Sequence, residues 1–443
     1  MLNPESSVPG GNKPQLARGQ IGLVAAMAIG IGGMVGAGIF SILGVVAQAA
    51  GNAMWLSFLA GGVVALLSTY SYVKLGVRYP SAGGAVEFLV QGFGDGVLSG
   101  GINLYMWVGY IIALALYAQG FVGYALTFFP SPPPAWLPKG IGVGIILVFT
   151  GVNFVGAKVM GRSETLIVLV KLLILVLFAG VGLFFIQSPN FSHHLWPSLP
   201  GIFFGAGVLF IGYEGFGLVA NAAEDMANPR RLLPQAMYLS VITVILIYLV
   251  VSAAVIGNLP IPAVVAAKDY ALAQAAKPFL GEGGFKLIAV GALFSTASAI
   301  NATLFGGANV SYMLARDGEL PRVFARKSWG NCADGLLITS ALVILFVLCF
   351  DLSGVAMMGS GAFLLIYACV HAAHLRVIAE TGAKAWLIRL ALGTCLAMFG
   401  VLCVYIYQNQ KAALITMVAL LPICFALEWG YRQTTGRTIR TRT

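Results

Sequence analysis

The sequence predicts an all-α integral membrane protein with twelve transmembrane helices. Three observations carry that expectation. The first is composition. Of 443 residues, 59% are hydrophobic and 9% charged, with a mean hydropathy of +0.92. A soluble domain carries about 25% charged residues, and a disordered chain is far less apolar. The second is segment length. A spanning helix takes roughly 20 apolar residues. Apolar segments recur at 20–49, 52–78, 95–129, 139–155, 162–187, 199–223, 233–257, 284–315, 335–350, 353–373, 386–407 and 411–431. The third is the placement of the 25 Lys and Arg. Nineteen fall in the two ends and the loops that share their side, five in the opposing loops, and one, Lys171, inside a span. The positive-inside rule then puts both termini in the cytoplasm of a multi-pass protein in the plasma or inner membrane. The net charge of +10 is therefore topology. No nucleic-acid motif accompanies it, so the expected partners are the bilayer and a small substrate.

Residues 1–19 form a polar cytoplasmic tail. No cleavable signal is expected, because the apolar run after them is too long for a signal core. The first span contains five glycines within nine positions, Gly30, Gly32, Gly33, Gly36 and Gly38. Each costs about 1 kcal/mol of helix propensity against alanine. Such a cluster predicts a break, or else close packing through small residues. Free backbone groups at membrane depth are tolerated where they line a polar cavity or are buried in protein. Ser131-Pro132-Pro133-Pro134 reads as a stiff outer connector. Residues 258–283 read as a longer outer loop, with a surface helix over Ala263–Ala276. A second break is expected at Gly212-Tyr213-Glu214-Gly215-Phe216-Gly217 in the sixth span. Spans one and six hold equivalent places in two blocks of five. An odd number of spans per block inverts the second against the first, and paired Gly-rich interruptions point to an inverted-repeat transporter. The expected division is 20–187 for the first repeat, 199–373 for the second, 386–431 for two further helices and 432–443 for a second cytoplasmic tail.

Lys171 stands alone in an uninterrupted apolar run. A charge near the bilayer centre costs about 3 to more than 10 kcal/mol, so such a residue faces a cavity and carries function, or forms a structural ion pair. A lysine held there can take up and release a proton during a cycle. Glu214 lies in the second break. It can contact a substrate ammonium, select a cationic substrate, or hold a second proton. It can equally be a protonated acid bonded to nearby backbone. Phe210, Tyr213 and Phe216 cluster at the same break, as gate or as core. Met106, Trp107 and Tyr110 in the third span carry the same ambiguity. His371 and His374, three apart, have a spacing that can chelate a metal. With no Cys or carboxylate near in sequence, they read as an interfacial pair. Six cysteines without a CxxC pair read as reduced core residues. No nucleophile elbow, HExxH, phosphate loop or convergent carboxylate pair is present, which excludes the common enzyme classes. With no ATP-binding domain, transport must draw on an ion gradient or on exchange.

Three further stretches carry a family likeness. They are Arg78-Tyr79-Pro80-Ser81-Ala82-Gly83-Gly84, Glu224-Asp225-Met226-Ala227-Asn228-Pro229-Arg230-Arg231 with Pro234, and Ala315-Arg316-Asp317-Gly318-Glu319-Leu320-Pro321. With the glycine-rich first span they resemble the amino acid–polyamine–organocation transporter superfamily over nearly the whole chain. Leu166 to Leu175, Ala276 to Gly281, Gly291 to Ser295 and Gly306 to Val310 are similar to its archaeal proton-coupled amino-acid transporters. The resemblance implies the LeuT-like fold, with inverted five-helix repeats, two C-terminal helices, and breaks in helices 1 and 6. It implies that Lys171 replaces a sodium ion, beside the Gly30 carbonyl and Ser295. Backbone N–H groups of Gly32, Gly33, Met34, Val35 and Gly36 would take a substrate carboxylate. Carbonyls near Phe210 and Ile211 would take its amino group. The other candidate substrate contacts are Tyr213, Glu214, Phe216, Met106 and Trp107. Glu214 departs from the neutral residue usual in such chains. The expected function is proton-coupled amino-acid symport by alternating access, with protons as coupling ion and no cofactor. The alternatives are an amino-acid or polyamine exchanger, and a substrate-sensing receptor on the same fold.

Overall fold

A computed structural model of the chain describes residues 21–81, 83–155, 160–317, 320–326 and 334–435. The expected tails at 1–19 and beyond 435, with Ala82, Gly318, Glu319 and Cys332, lie outside the described residues. Every named element is helical. Eleven described helices are long and apolar enough to cross a membrane, and Asp334–Cys349 is a shorter apolar helix of 16 residues. The chain is thus a multi-pass membrane protein, and its helices follow the predicted segments closely.

The first span is α1 (Leu23–Met34), α2 (Ala37–Phe40) and α3 (Leu43–Ala50), interrupted at Val35-Gly36 and again at Ser41-Ile42. The break expected at the glycine cluster is therefore present. A short 3-10 turn leads into α4 (Met54–Arg78), followed by the short α5 (Ala85–Phe93), α6 (Val97–Leu126), α7 (Leu137–Val155) and α8 (Met160–Phe184). Gly84, which starts α5, has φ +48 and lies hard against Asn221 Oδ1, where a Cβ would stand at 1.9 Å. Only glycine fits there.

The sixth span is α9 (Leu199–Leu209) continued by a 3-10 helix over Phe210–Asp225. The interruption expected here is a change of winding, where an unwound gap was anticipated. A 3-10 run of 16 residues is unusual, since such runs seldom exceed about four. Its onset has a visible cause. Ser360 Oγ donates to Val208 O at 2.6 Å and accepts from Ile211 N at 2.9 Å, so one hydroxyl is inserted into the ladder where the winding changes. Beyond it come α10 (Pro229–Asn258), which starts on Pro229, and α11 (Ile261–Ala267). Then follow a 3-10 turn at Lys268–Tyr270 and α12 (Ala271–Asp317). The loop expected at 258–283 is thus mostly helical. The surface helix predicted there is split at Lys268, where φ is +31, and α12 is bent at Gly281, where φ is +63. The rest are α13 (Asp334–Cys349), α14 (Leu352–Arg376), α15 (Ile378–Thr381), α16 (Ala385–Asn409) and α17 (Lys411–Thr435). Asp351 caps α14, its Oδ1 accepting from Gly354 N at 2.9 Å.

Burial separates centre from rim. The most apolar stretches of α6 and α14 are 83% and 89% buried, those of α7 and α17 only 22%. On α8, Leu169, Leu173 and Val176 are exposed while Lys171 is buried, so the lysine faces the bundle. At the face that carries Ile21, the first and sixth spans meet in a parallel bridge. There Ile21 N donates to Asp225 O at 3.1 Å. At the opposite face the Lys268 turn covers Gly44 of α3. A Cβ on Gly44 would lie 2.4 Å from Lys268 O.

Two expectations change here. His371 and His374 are fully buried between α14 and α4. His371 Nε2 pairs with Ser68 Oγ at 3.1 Å, His374 Nδ1 with Ser71 Oγ at 2.6 Å, and His374 Nε2 with Thr381 Oγ1 at 2.9 Å. Partners on α4, far away in sequence, hold them inside the protein and off the interface. Of the five described cysteines, all free, Cys349 is exposed, so the expectation of core placement fails for that one.

Candidate functional site

The break in the first span is where α1 ends, and a helix end of that sense frees carbonyls. α-Helical bonding holds to Met34. Val35 N bonds back to Ile31 O at 2.7 Å and Gly36 N to Met34 O at 2.9 Å. The N–H groups of Gly32, Gly33, Met34, Val35 and Gly36 therefore already have backbone acceptors. The expected carboxylate contact thus falls on groups that the end of α1 already engages. Four carbonyls along the span instead receive side chains, each from a different helix. Lys171 Nζ of α8 donates to Gly32 O at 2.8 Å. Tyr248 OH of α10 donates to Met34 O at 2.6 Å, and Ser295 Oγ of α12 to Val35 O at 3.4 Å. Tyr124 OH of α6 donates to Phe40 O. Membrane-buried backbone is satisfied in this way without water.

Gly30 is not the glycine that meets the amine. A Cβ there would stand 2.7 Å from Val219 and 2.9 Å from Ser240 Oγ, on the side of α10. Residues two apart on a helix point about 200° away from each other. Gly32 accordingly faces α8, where its Cβ would meet Val168 at 2.9 Å, one turn from Lys171. Ser295 serves the next free carbonyl along.

The two interruptions lie back to back. A Cβ on Gly215 would stand 2.3 Å from the Gly33 carbonyl carbon, and one on Gly38 would stand 2.7 Å from Gly212 Cα. Tyr248 OH also donates to Gly212 O at 3.0 Å, so one hydroxyl joins both spans.

Beside this contact is a cavity of about 100 Å³. Ile29, Gly32 and Gly33 of α1, and Val168 and Lys171 of α8, form one wall. Tyr110 and Tyr117 of α6, with Glu214, Leu218 and Asn221 of the 3-10 segment, form another. Ser298, Ala302, Thr303, Gly306 and Val310 of α12 close it. A second, smaller cavity of about 20 Å³ shares Tyr110, Glu214 and Asn221 and reaches Gly83 and Ala85 beside α5. Glu214 is 4% exposed and Lys171 3%, so the larger cavity holds two ionisable groups removed from bulk water. Glu214 Oε1 accepts from Tyr117 OH at 3.2 Å, and its main-chain O from Tyr367 OH at 2.7 Å.

Other candidates fall outside the cavity. Phe210 and Phe216 pack on Tyr367, Phe216 also on Tyr72, and Tyr213 OH donates to Phe58 O at 2.9 Å. All three are fully buried. Phe210 O and Ile211 O, expected to take an amino group, are engaged by the 3-10 winding itself, whose N–H groups bond three residues back. Trp107 turns toward α13, its Nε1 donating to Thr339 Oγ1 at 3.3 Å. Met106 lines the smaller cavity. Tyr117, Asn221 and Thr303 were not anticipated. The signal for them is periodicity. Tyr110 and Tyr117 are two turns apart on one face, and Ser298, Ala302, Gly306 and Val310 recur every fourth residue.

The profile of the amino acid permease family matches residues 21–427. An uncharacterized protein of Methanocaldococcus jannaschii is 41% identical over 425 residues, which is 96% of this chain and 98% of that one. The inner membrane transport protein YbaT of Escherichia coli is 34% identical over 85% of this chain and 86% of its own. The methylthioribose transporter of Bacillus subtilis is 28% identical, over 67% of each.

Proposed function

The chain belongs to the amino acid permease family, and we propose that it is a symporter that moves amino acids together with protons, with Lys171 as the proton site. The observation that carries the coupling is the bond from Lys171 Nζ to Gly32 O, at the end of α1 and inside the cavity. The C-terminal end of a helix carries partial negative charge, which favours a cation by about 0.3–2 kcal/mol. An ammonium at this point ties α8 to α1. A neutral amine keeps the hydrogen bond and loses the charge attraction, so α1 is freed to move against α8. Proton uptake and release at one nitrogen thus bias which side of the cavity is closed. The distribution of Lys and Arg supports cytoplasmic termini, with the cavity discharging to that side. The amino acid occupies the cavity between α1, α6, the 3-10 segment and α12.

The test is uptake of labelled amino acids into proteoliposomes under an imposed inward proton gradient. Lys171→Ala abolishes gradient-driven accumulation. Lys171→Arg does so too, because a guanidinium stays protonated through the cycle. Full accumulation by the alanine variant removes Lys171 as the coupling site. Counterflow without any response to the gradient in the wild type identifies an exchanger.

A further inference from the structure

Every amino acid presents an α-ammonium and an α-carboxylate, whatever its side chain, and the main chain of the interrupted spans has acceptors for the first. A carbonyl oxygen has two lone pairs. Gly212 O and Glu214 O lie within the 3-10 winding and still take side-chain donors, from Tyr248 at 3.0 Å and Tyr367 at 2.7 Å. An α-ammonium can therefore be held by carbonyls of this kind, which leaves the Glu214 side chain free for what differs between substrates. Glu214 is 4% exposed, and it is the only acid among the described residues that line the two cavities. Its Oε1 accepts from Tyr117 OH at 3.2 Å, and its Oε2 has no donor among the described residues. A carboxylate withdrawn from water with a single hydrogen bond is under-satisfied. Its surroundings fit a cation. Tyr72, Tyr110, Phe363 and Tyr367 line the smaller cavity beside it. Ring centroids are 5.4 Å apart for Tyr72 and Tyr367, 5.9 Å for Tyr110 and Phe363, and 6.1 Å for Phe363 and Tyr367, so the four rings form one wall. Aromatic faces attract ammonium groups, and a carboxylate beside them adds a charge-assisted hydrogen bond. At about 20 Å³ this cavity has room for one water-sized group, which a primary ammonium matches and a guanidinium exceeds. Lys171 stands on a different wall of the larger cavity, bonded to Gly32 O at 2.8 Å, and its charge repels a second cation from that side.

We propose that Glu214 and this aromatic wall select amino acids whose side chain ends in a primary ammonium, such as lysine or ornithine. This rests on the cavity being the amino-acid site. The α-ammonium and α-carboxylate occupy the larger cavity. The side-chain ammonium lies where the smaller one meets it and donates to Glu214 Oε2. Tyr117, bonded to Oε1, is the residue that positions the carboxylate.

The test is equilibrium binding to the purified full chain in detergent. The twenty standard amino acids are screened together with ornithine and norleucine. Lysine and norleucine are the central pair, because they differ only in the side-chain ammonium. In the wild type lysine binds about tenfold or more tightly than norleucine, the worth of a hydrogen bond to a charged group. Ornithine follows lysine, and arginine binds more weakly than either. Glu214→Gln, near-isosteric, weakens lysine to the affinity of norleucine. Glu214→Asp keeps the charge and retains the preference for lysine at lower affinity, which separates loss of charge from loss of fold. In Tyr117→Phe the ratio between lysine and norleucine falls, a readout that a purely structural role leaves unmoved. A wild type that binds norleucine or another neutral amino acid as well as lysine, or better, overturns the proposal and leaves the amino-acid site standing. A Glu214→Gln protein that keeps the preference for lysine overturns it as well. Arginine as tight as lysine overturns the limit to a primary ammonium. A wild type that binds no amino acid overturns the site assignment and this proposal with it.

Discussion

At the scale of the residue, Ser360 decides more than its size suggests. Its hydroxyl occupies the point where α9 gives way to 3-10 winding, and replacing it leaves Val208 O and Ile211 N without that partner. Ser360→Ala is expected to cost about 1–3 kcal/mol, the usual penalty for orphaned buried polar groups. The measurement is the melting temperature of the purified protein, with amino-acid binding at saturation as a second readout. Because Glu214 sits one turn past that point, its cavity position shifts with the winding and affinity falls. An unchanged melting temperature means the winding is intrinsic to the segment. Residues of this kind mark the limit of what sequence shows. Lys171 and Glu214 were legible because a charge in an apolar run is costly wherever it lies. The partners of His371 and His374 were not, since Ser68 and Ser71 are 303 residues away. Nor was the fate of Phe210, Tyr213 and Phe216. An aromatic at a break looks the same in sequence whether it closes a cavity or fills the core. The choice of Gly32 over Gly30 turned on helix phase, which a run of glycines does not fix.

At the scale of the element, the glycines of the 3-10 segment are not equivalent, although sequence treats them alike. A methyl group on Gly215 would lie 2.3 Å from the Gly33 carbonyl carbon and 2.5 Å from Met34 N, both main chain. One on Gly217 would make an ordinary contact at 3.4 Å with Tyr72. Gly215→Ala therefore forces the two interrupted spans apart and is expected to destabilise by about 1–3 kcal/mol or more, with loss of uptake. Gly217→Ala should be tolerated. Size-exclusion profiles and proteoliposome uptake for the two variants check the contrast, and equal behaviour would mean that the spans are not packed through Gly215. The twelve segments themselves were legible to within a few residues because hydropathy over a bilayer's thickness is a long, strong signal. The break at Gly36 was legible from propensity together with the matching glycine-rich stretch in the sixth span. The 3-10 winding was not, for its cause lies on α14 and α10.

At the scale of the whole molecule, the face opposite the termini is closed by the turn at Lys268. Lys268 Nζ contacts Asp351 Oδ2 at 2.9 Å. Burial alone would raise the Asp351 carboxyl. The hydrogen bonds from Lys268 and Gly354, with the lysine charge, outweigh it and hold the group below its ordinary value. A carboxyl depressed in the folded state stabilises above its unfolded value of about 3.9, and that contribution is lost as pH falls through the lower folded value. Melting temperature should therefore drop on acidification below about pH 4, and drop less in Asp351→Asn, which lacks the titrating group. Identical acid profiles for the two proteins would count against this. The pair is half-exposed on both sides and contributes about 0–1 kcal/mol, so the closure rests more on the Lys268 main chain seated over Gly44. The terminal face is held differently. There Ile21 bridges to Asp225 and Met226, while deeper in the membrane Tyr248 is shared between Met34 and Gly212. Two spans riveted at two depths behave as a plate. A motion that bends one alone must first spring the shallower rivet. Among the described residues that rivet is made by main-chain groups, so substitutions reach the deep fastening more readily than the catch.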